Sequence, residues 1–302
     1  MAGFEEKVGA RWAVWVGGIA LALGGVFLVR YAVEQDLIGP AARVGLGLLL
    51  AALLLAAGEW LRRLDRKDGF AGVPAAHVPS VLTAAGTMTA FGSIFAAYEL
   101  YHLIPPGLAF VLLALTGIAT MLAALLHGPA LAALGFAGAA LTPFLVTTEE
   151  PNAMGVALLI TAVGASALGV ARLKTWRFLA LLAIAGMAAW AAFLLFFEVP
   201  QAVMASGLMA LALLALTAAL LVPGHLWGPQ GGGGPDLVST LGATGALGMA
   251  LGAVLAGEIA SGPLSIFLLV AAGTLALAWR APPVTFATVA LALFAPVILN
   301  QW

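Results

Sequence analysis

The sequence predicts an all-α fold, a polytopic bundle of transmembrane helices. Three observations predict it. Hydrophobic residues make up 63% of the 302-residue chain and charged residues only 8%, whereas a soluble domain carries about a quarter charged residues. The apolar residues fall in continuous runs of about 20, long enough to cross the hydrocarbon core. The runs do not alternate in polarity, so they are helices and not strands, each satisfying its own backbone in lipid. Twelve basic and 13 acidic side chains could not cover a soluble protein of this length.

Taken in order, the spans are 11–30, 40–60, 79–98, 106–126, 129–147, 153–172, 177–197, 201–222, 237–256, 263–279 and 283–300. The first is an uncleaved signal anchor, since its long apolar run has no small-residue cleavage pattern. Basic residues orient the array. Lys7 and Arg11 precede the first span, and Arg62, Arg63, Arg66 and Lys67 follow the second. Arg172, Lys174 and Arg177 lie between the sixth and seventh, and Arg280 follows the tenth. With eleven alternating spans these ten share one side, leaving only Arg30 and Arg43 opposite. The positive-inside rule then places the N-terminus in the cytoplasm.

Acids mark the other side. Glu34 and Asp36, Glu99, Glu149 and Glu150, Glu198, and Glu258 occupy the five outward turns. Short outward turns suggest helices paired as outward-closed hairpins. Leu37-Ile38-Gly39-Pro40 before the second span is echoed by Leu103-Ile104-Pro105-Pro106 before the fourth. Proline suits a helix start, where its missing N–H is not needed. The echo fits either duplicated hairpins or the ordinary chemistry of short turns.

The chain reads as a single transmembrane domain, 1–302. The stretch 223–236, with glycine at 231–234, is expected to be a flexible cytoplasmic linker, with 1–222 and 237–302 as possible sub-bundles. It lacks the Gly-Lys-Ser/Thr ending of a phosphate-binding loop. The odd span count, with Trp302 directly after the last span, suggests a shortened form of a longer protein.

Small residues mark packing. Gly242, Gly245, Gly248 and Gly252 recur at three- and four-residue spacing on the ninth span, and Gly248 and Gly252 form a GxxxG pair. On the third span Gly86 and Ala90, and Gly92 and Ala96, are four apart. Small faces let helix backbones approach in lipid, whether as ordinary packing or beside a substrate path. In the fifth span, Gly135 to Phe144, Pro143 is expected to kink or end the helix, with Thr142 bonding the freed carbonyl. A broken helix is either a ligand site or a plain structural kink. Pro296 invites the same argument.

Intramembrane charges are functional suspects, because a central charge costs about 2.5–3.5 kcal/mol on insertion scales. None falls in the middle third of a span. Arg30, Arg43, Glu59 and Glu99 lie near helix ends. Arg30 has Glu34 or Glu99 as candidate partners, and Glu59 has Arg62 or Arg63. All four fit interfacial ion pairs or snorkelling as well as a substrate path. Tyr98, Glu99, Tyr101 and His102 form either a polar mouth or part of the interfacial aromatic belt. Of the eight tryptophans, Trp190 alone is well inside a span.

Several chemistries have no support. There is no cysteine, and the histidines, His77, His102, His127 and His225, show no metal-ligand spacing. No Ser-His pair, Asp pair or His-Glu-x-x-His motif sits at membrane depth. Thr87, Thr89, Ser93, Thr161 and Ser166 are expected to bond backbone carbonyls or adjacent helices. No enzyme activity, cofactor, metal or nucleic-acid partner is expected. The expected partners are the lipid bilayer and other membrane proteins or a second copy of the chain. Transport of a small or lipid-like solute and a non-catalytic scaffold or sensor role both fit this architecture.

The stretches Glu5 to Trp12, Trp15 to Gly18 and Ala20 to Tyr31 resemble the start of the transmembrane region in a bacterial family of predicted membrane proteins, domain of unknown function 2339. Leu37 to Arg43, Gly58-Glu59-Trp60-Leu61-Arg62-Arg63 and Gly135 to Pro143 resemble later motifs of that family. The resemblance is clear in the first half and loose beyond it. It implies membrane location and many helices, and it supplies no activity. Members are usually longer, with an N-terminal extension and more spans.

Overall fold

Proline starts several of these helices and glycine shapes the turns between them. In the computed structural model, which describes residues 39–68, 78–146, 152–230, 234–258 and 260–301, ten α-helices follow in sequence. They are α1 (Pro40–Asp68), α2 (Val78–Phe95), α3 (Pro106–His127), α4 (Pro129–Leu145) and α5 (Ala153–Lys174). Then come α6 (Arg177–Phe196), α7 (Ala202–Leu216), α8 (Leu237–Ala256), α9 (Ser261–Arg280) and α10 (Ala287–Gln301). No strand occurs among the described residues. The first expected span, 11–30, lies outside them, so α1 answers to the second.

Among the described residues eight helices, α1, α2, α3 and α5 through α9, are long and apolar enough to cross a membrane. Two expected spans are shorter. The α4 helix has 17 residues, and the apolar part of α10 is Ala287–Ile298, because Pro282–Val284 forms a separate 3-10 turn. Pro296 sits inside α10 without ending it. Two helices finish in π turns, Ala96–Leu100 after α2 and Thr217–Leu221 after α7. Nothing in the hydropathy foretells these turns, since a change of hydrogen-bond register leaves the apolar pattern intact.

Hydrogen bonds link helix termini at one end of the bundle. At this end, here the basic end, Ser80 of α2 donates to the carbonyl of His127 on α3, and Thr240 of α8 donates to that of Pro283. Arg62, Arg63, Arg172, Arg177 and Arg280 also sit at this end. Glu99, Glu198 and Glu258 sit at the opposite, acidic end.

The described helices pair differently from the expected outward-closed hairpins, the first of which, spans 11–30 and 40–60, lies partly outside the described residues. The most extensive packing joins α1 to α2, α3 to α4, α7 to α8 and α5 to α6, all connected at the basic end. Small residues explain this. A Cβ on Gly58 of α1 would lie 3.0 Å from the Pro79 carbonyl oxygen, and one on Gly86 of α2 would lie 3.0 Å from that of Ala51. These backbones touch where side chains would hold them apart. The α3–α4 connection is a single residue, Gly128, whose φ of 106° suits glycine.

One cluster of buried apolar side chains runs from Ala114 to Ile298, on both sides of the stretch 223–236. A smaller cluster of Phe91, Ile94, Ala109, Leu113 and Val146 lies toward the acidic end. Large apolar side chains also cover the outside, including Leu46, Leu49 and Leu53 on α1, and Trp279 is almost fully exposed. In water that surface would be unstable; against lipid tails it is the expected coat.

Candidate functional site

Pro143 does not break its helix. The α4 helix runs through it to Leu145, and the amide of Val146 still bonds the Thr142 carbonyl. Proline withholds the donor that would have met the Ala139 carbonyl, four residues back. Thr142, fully buried, donates instead to the Gly138 carbonyl at 3.2 Å. The expectation that Thr142 bonds the freed carbonyl is therefore corrected. A proline two residues from a helix end disturbs little beyond its own turn.

The disturbed turn is gripped from α6. Trp190 Nε1 donates to the Ala140 carbonyl at 3.0 Å, and the ring is 7% exposed. Burying an indole requires a partner for its N–H, and α4 provides one. Around it stand Phe144 at 4.6 Å and Phe193 at 5.2 Å between ring centroids. Phe144 and Phe193 meet edge to face at 5.1 Å, and Phe197 extends the row.

Phe144, Trp190 and Phe193 wall a groove of about 480 Å³ at the acidic end. Phe110 of α3, Pro143 and Phe144 of α4, Val156 of α5 and Trp190 and Phe193 of α6 form its apolar lining. Asn152 supplies a polar corner while its side chain caps α5 by accepting from the Gly155 amide. A concave apolar site with a few polar groups, of a few hundred cubic ångströms, is the usual form of a small-molecule pocket.

A second cavity, about 520 Å³, opens at the basic end of the same α5–α6 pair. Arg172, Trp176, Arg177, Gln230 and Asp236 line it, with Ala180, Leu221 and Val238 behind. One wall belongs to the stretch expected to be a flexible linker. Its described residues 223–230 are instead folded. Gly224 N–H donates to the Pro229 carbonyl and Trp227 N–H to that of Ala219. Arg172 reaches across from α5 and donates to the carbonyls of Trp227 and Gly228, the latter at 2.9 Å. Residues 231–233 lie outside the described part. Along α5 the two cavities are about 24 Å apart at 1.5 Å per residue. Between them the helices are closed: a Cβ on Gly164 would collide with Met187, which is fully buried.

The other expected residues are scattered. Glu59 accepts from Arg62 at 2.7 and 2.8 Å and from Arg63 at 2.7 Å, a clamp within one helix end that lines neither cavity. Arg43 is half-buried near the start of α1, and Glu99 is exposed in the π turn after α2. Arg30 falls outside the described residues. Near Glu99, the His102 ring meets the Tyr98 carbonyl and its backbone has a φ of 49°, at the acidic-end surface.

The glycine row on α8 divides. Gly242 abuts Thr217, Gly245 makes ordinary contact with Ile184 and Leu213, and Gly252 approaches Leu195. Gly248 faces open space, so the GxxxG pair is not a close crossing. Spacing alone does not say which turn of a helix meets a neighbour. Thr89 and Ser166 bond the carbonyls four residues back, and Thr87 accepts from Thr120 across α2 and α3.

No curated protein and no solved structure matches the chain. A family model does match, over residues 9–301, which extends the likeness seen in the first half to nearly the whole length. With its apolar helices, the chain belongs to the predicted membrane protein family DUF2339.

Proposed function

We propose that this integral membrane protein binds and carries a lipid-like solute, which enters the aromatic groove at the acidic end from the surrounding lipid. The observation that carries this reading is the groove itself. Phe110, Phe144, Trp190 and Phe193 form an apolar wall, and a hydrophilic solute would gain little from it. The lack of charge in the middle of the expected spans favours a neutral or amphiphilic cargo over a proton-coupled polar one.

The reading includes an eleven-span topology in a bacterial cytoplasmic membrane, with the basic end in the cytoplasm and no catalytic step. The chain contains no cysteine, so single cysteines can be placed without first removing others. Labelling by a membrane-impermeant maleimide should reach Glu99→Cys and Glu198→Cys from outside intact cells and should miss Thr175→Cys. The opposite pattern would invert the topology.

For the activity, the chain is reconstituted in liposomes and the transfer of a panel of fluorescent fatty acids and phospholipids is followed. Transfer above that of protein-free liposomes, reduced by Trp190→Ala or Pro143→Ala, supports a carrier. No transfer across the panel sinks it. The scaffold role is favoured by one observation, the closed packing of Gly164 on Met187 between the cavities. A carrier has to open that contact and a scaffold does not.

A further inference from the structure

The cavity at the basic end has a chemistry opposite to that of the aromatic groove. We propose that it is a binding site for the phosphate headgroup of an anionic phospholipid, with Arg177 as the principal contact. This goes beyond the proposed carrier function and does not depend on it.

Three features lead to an anion. Arg177 lines the cleft, is exposed at the start of α6, and its side chain makes no hydrogen bond or ion pair among the described residues. Arg172, on the same wall, spends its donors on two neutral carbonyls, so its charge is not cancelled by a carboxylate. The one acid in the lining, Asp236, is engaged elsewhere. It caps α8 by accepting from the Ser239 amide at 2.9 Å and from the Ser239 hydroxyl at 2.8 Å. The cleft therefore presents more positive than negative charge, and a phosphate group complements it.

Two further features select a lipid over a free ion. The cleft backs onto Ala171, Ala180, Leu220, Leu221 and Val238, an apolar wall that would lie idle beside a soluble phosphate. It also sits at the ends of apolar helices, where basic pockets between transmembrane helices meet anionic lipids. Trp176, half-buried at the start of α6, is placed as interfacial tryptophans are. Arg172 acts as a positioning residue, because its fork on Trp227 and Gly228 holds the folded stretch that forms the far wall.

The test uses the full chain in mild detergent, with native mass spectrometry counting bound lipid. Phosphatidylglycerol, phosphatidylcholine and inorganic phosphate are titrated against wild type, Arg177→Gln, Arg177→Lys and Arg280→Gln. The last removes a charge at the same end but outside the cleft. Wild type should prefer phosphatidylglycerol to phosphatidylcholine. Arg177→Gln should weaken phosphatidylglycerol about fivefold, since one basic residue near a membrane surface contributes roughly that factor. Arg177→Lys should restore most of it, and Arg280→Gln should leave it within about twofold. Equal binding of the two lipids, or equal losses in Arg177→Gln and Arg280→Gln, would overturn the site. Displacement of the lipid by millimolar phosphate would also overturn it, by making the ligand a free anion. An unchanged melting temperature in Arg177→Gln excludes misfolding as the cause.

Discussion

Gly117 on α3 and Gly135 on α4 face each other so closely that a Cβ on either would lie 2.7 Å from the carbonyl oxygen of the other. The relationship is reciprocal, and it involves backbone, which cannot rotate aside as a side chain can. This contact, with the one-residue turn at Gly128, makes α3 and α4 a single packed unit. It also fixes where Phe110 and Phe144, one from each helix, stand in the aromatic groove.

Gly135→Ala should therefore destabilise the protein by about 1–3 kcal/mol, the usual cost of overpacking a tight core. Gly248→Ala is the matched control. Its added methyl meets open space, and alanine favours helix over glycine by up to about 1 kcal/mol. Thermal unfolding in one detergent should lower the midpoint of the first and leave or raise that of the second.

Trp190→Phe should separate the hydrogen bond from the ring. Phenylalanine keeps the contact with Phe144 and Phe193 but leaves the second lone pair of the Ala140 carbonyl without the indole donor. The expected loss is about 1 kcal/mol, the net value of one such bond. Trp190→Ala should cost about 3–5 kcal/mol, as for other large core truncations. Equal melting temperatures for the two variants would contradict this division.

Glu59→Gln should cost about 1 kcal/mol or less, because the ion pairs are partly exposed and lie at a helix end. Arg62→Gln should account for most of that loss and Arg63→Gln for little. The Arg62 side chain is 18% exposed and meets the carboxylate through two nitrogens, whereas that of Arg63 is 72% exposed and uses one. A double-mutant cycle over Glu59 and Arg62 measures the coupling.

Arg172→Lys should loosen the stretch 222–230. An ammonium cannot reproduce a planar fork onto two carbonyls. Hydrogen exchange should speed up at the amides of Gly224, Trp227 and Gly228, which the fold now protects. Exchange in α6 should not change. Unaltered protection at those three amides would mean that Arg172 does not hold the turn.

Much of the architecture was legible in the sequence. Continuous apolar runs marked most of the described helices to within a few residues, since the need to satisfy backbone in lipid leaves one solution, though α1 runs on to Asp68 past its expected end at 60. Pro40 and Pro106 began helices as their position implied. The ion pairs of Glu59 were also legible, because three and four residues along a helix is contact distance. Less was legible of the sites. Pro143 was singled out, but its neighbours in the groove come from α3, α5 and α6, and no local pattern joins them. The signal that could have found Trp190 was its depth, a polar N–H in mid-span that needs a partner. Gly117 carried no motif, and Gly248 carried one without a partner. Helix contacts depend on rotation and crossing, which spacing leaves open. Arg172 read as a topological marker only, because its bonds depend on a turn 55 residues away.

The aromatic groove is the central claim, and photolabelling tests it most directly. Phospholipid with a diazirine in its acyl chain is reconstituted with the full chain, and adducts are mapped by peptide. Adducts should concentrate on Phe110, Phe144, Trp190 and Phe193, above the level at the exposed Leu46, Leu49 and Leu53 of α1. Gly155→Leu, which places a side chain in the groove where the nearest atom to an added Cβ is 3.7 Å away, should abolish that excess. Labelling spread evenly over groove and α1, unchanged in Gly155→Leu, would contradict the account.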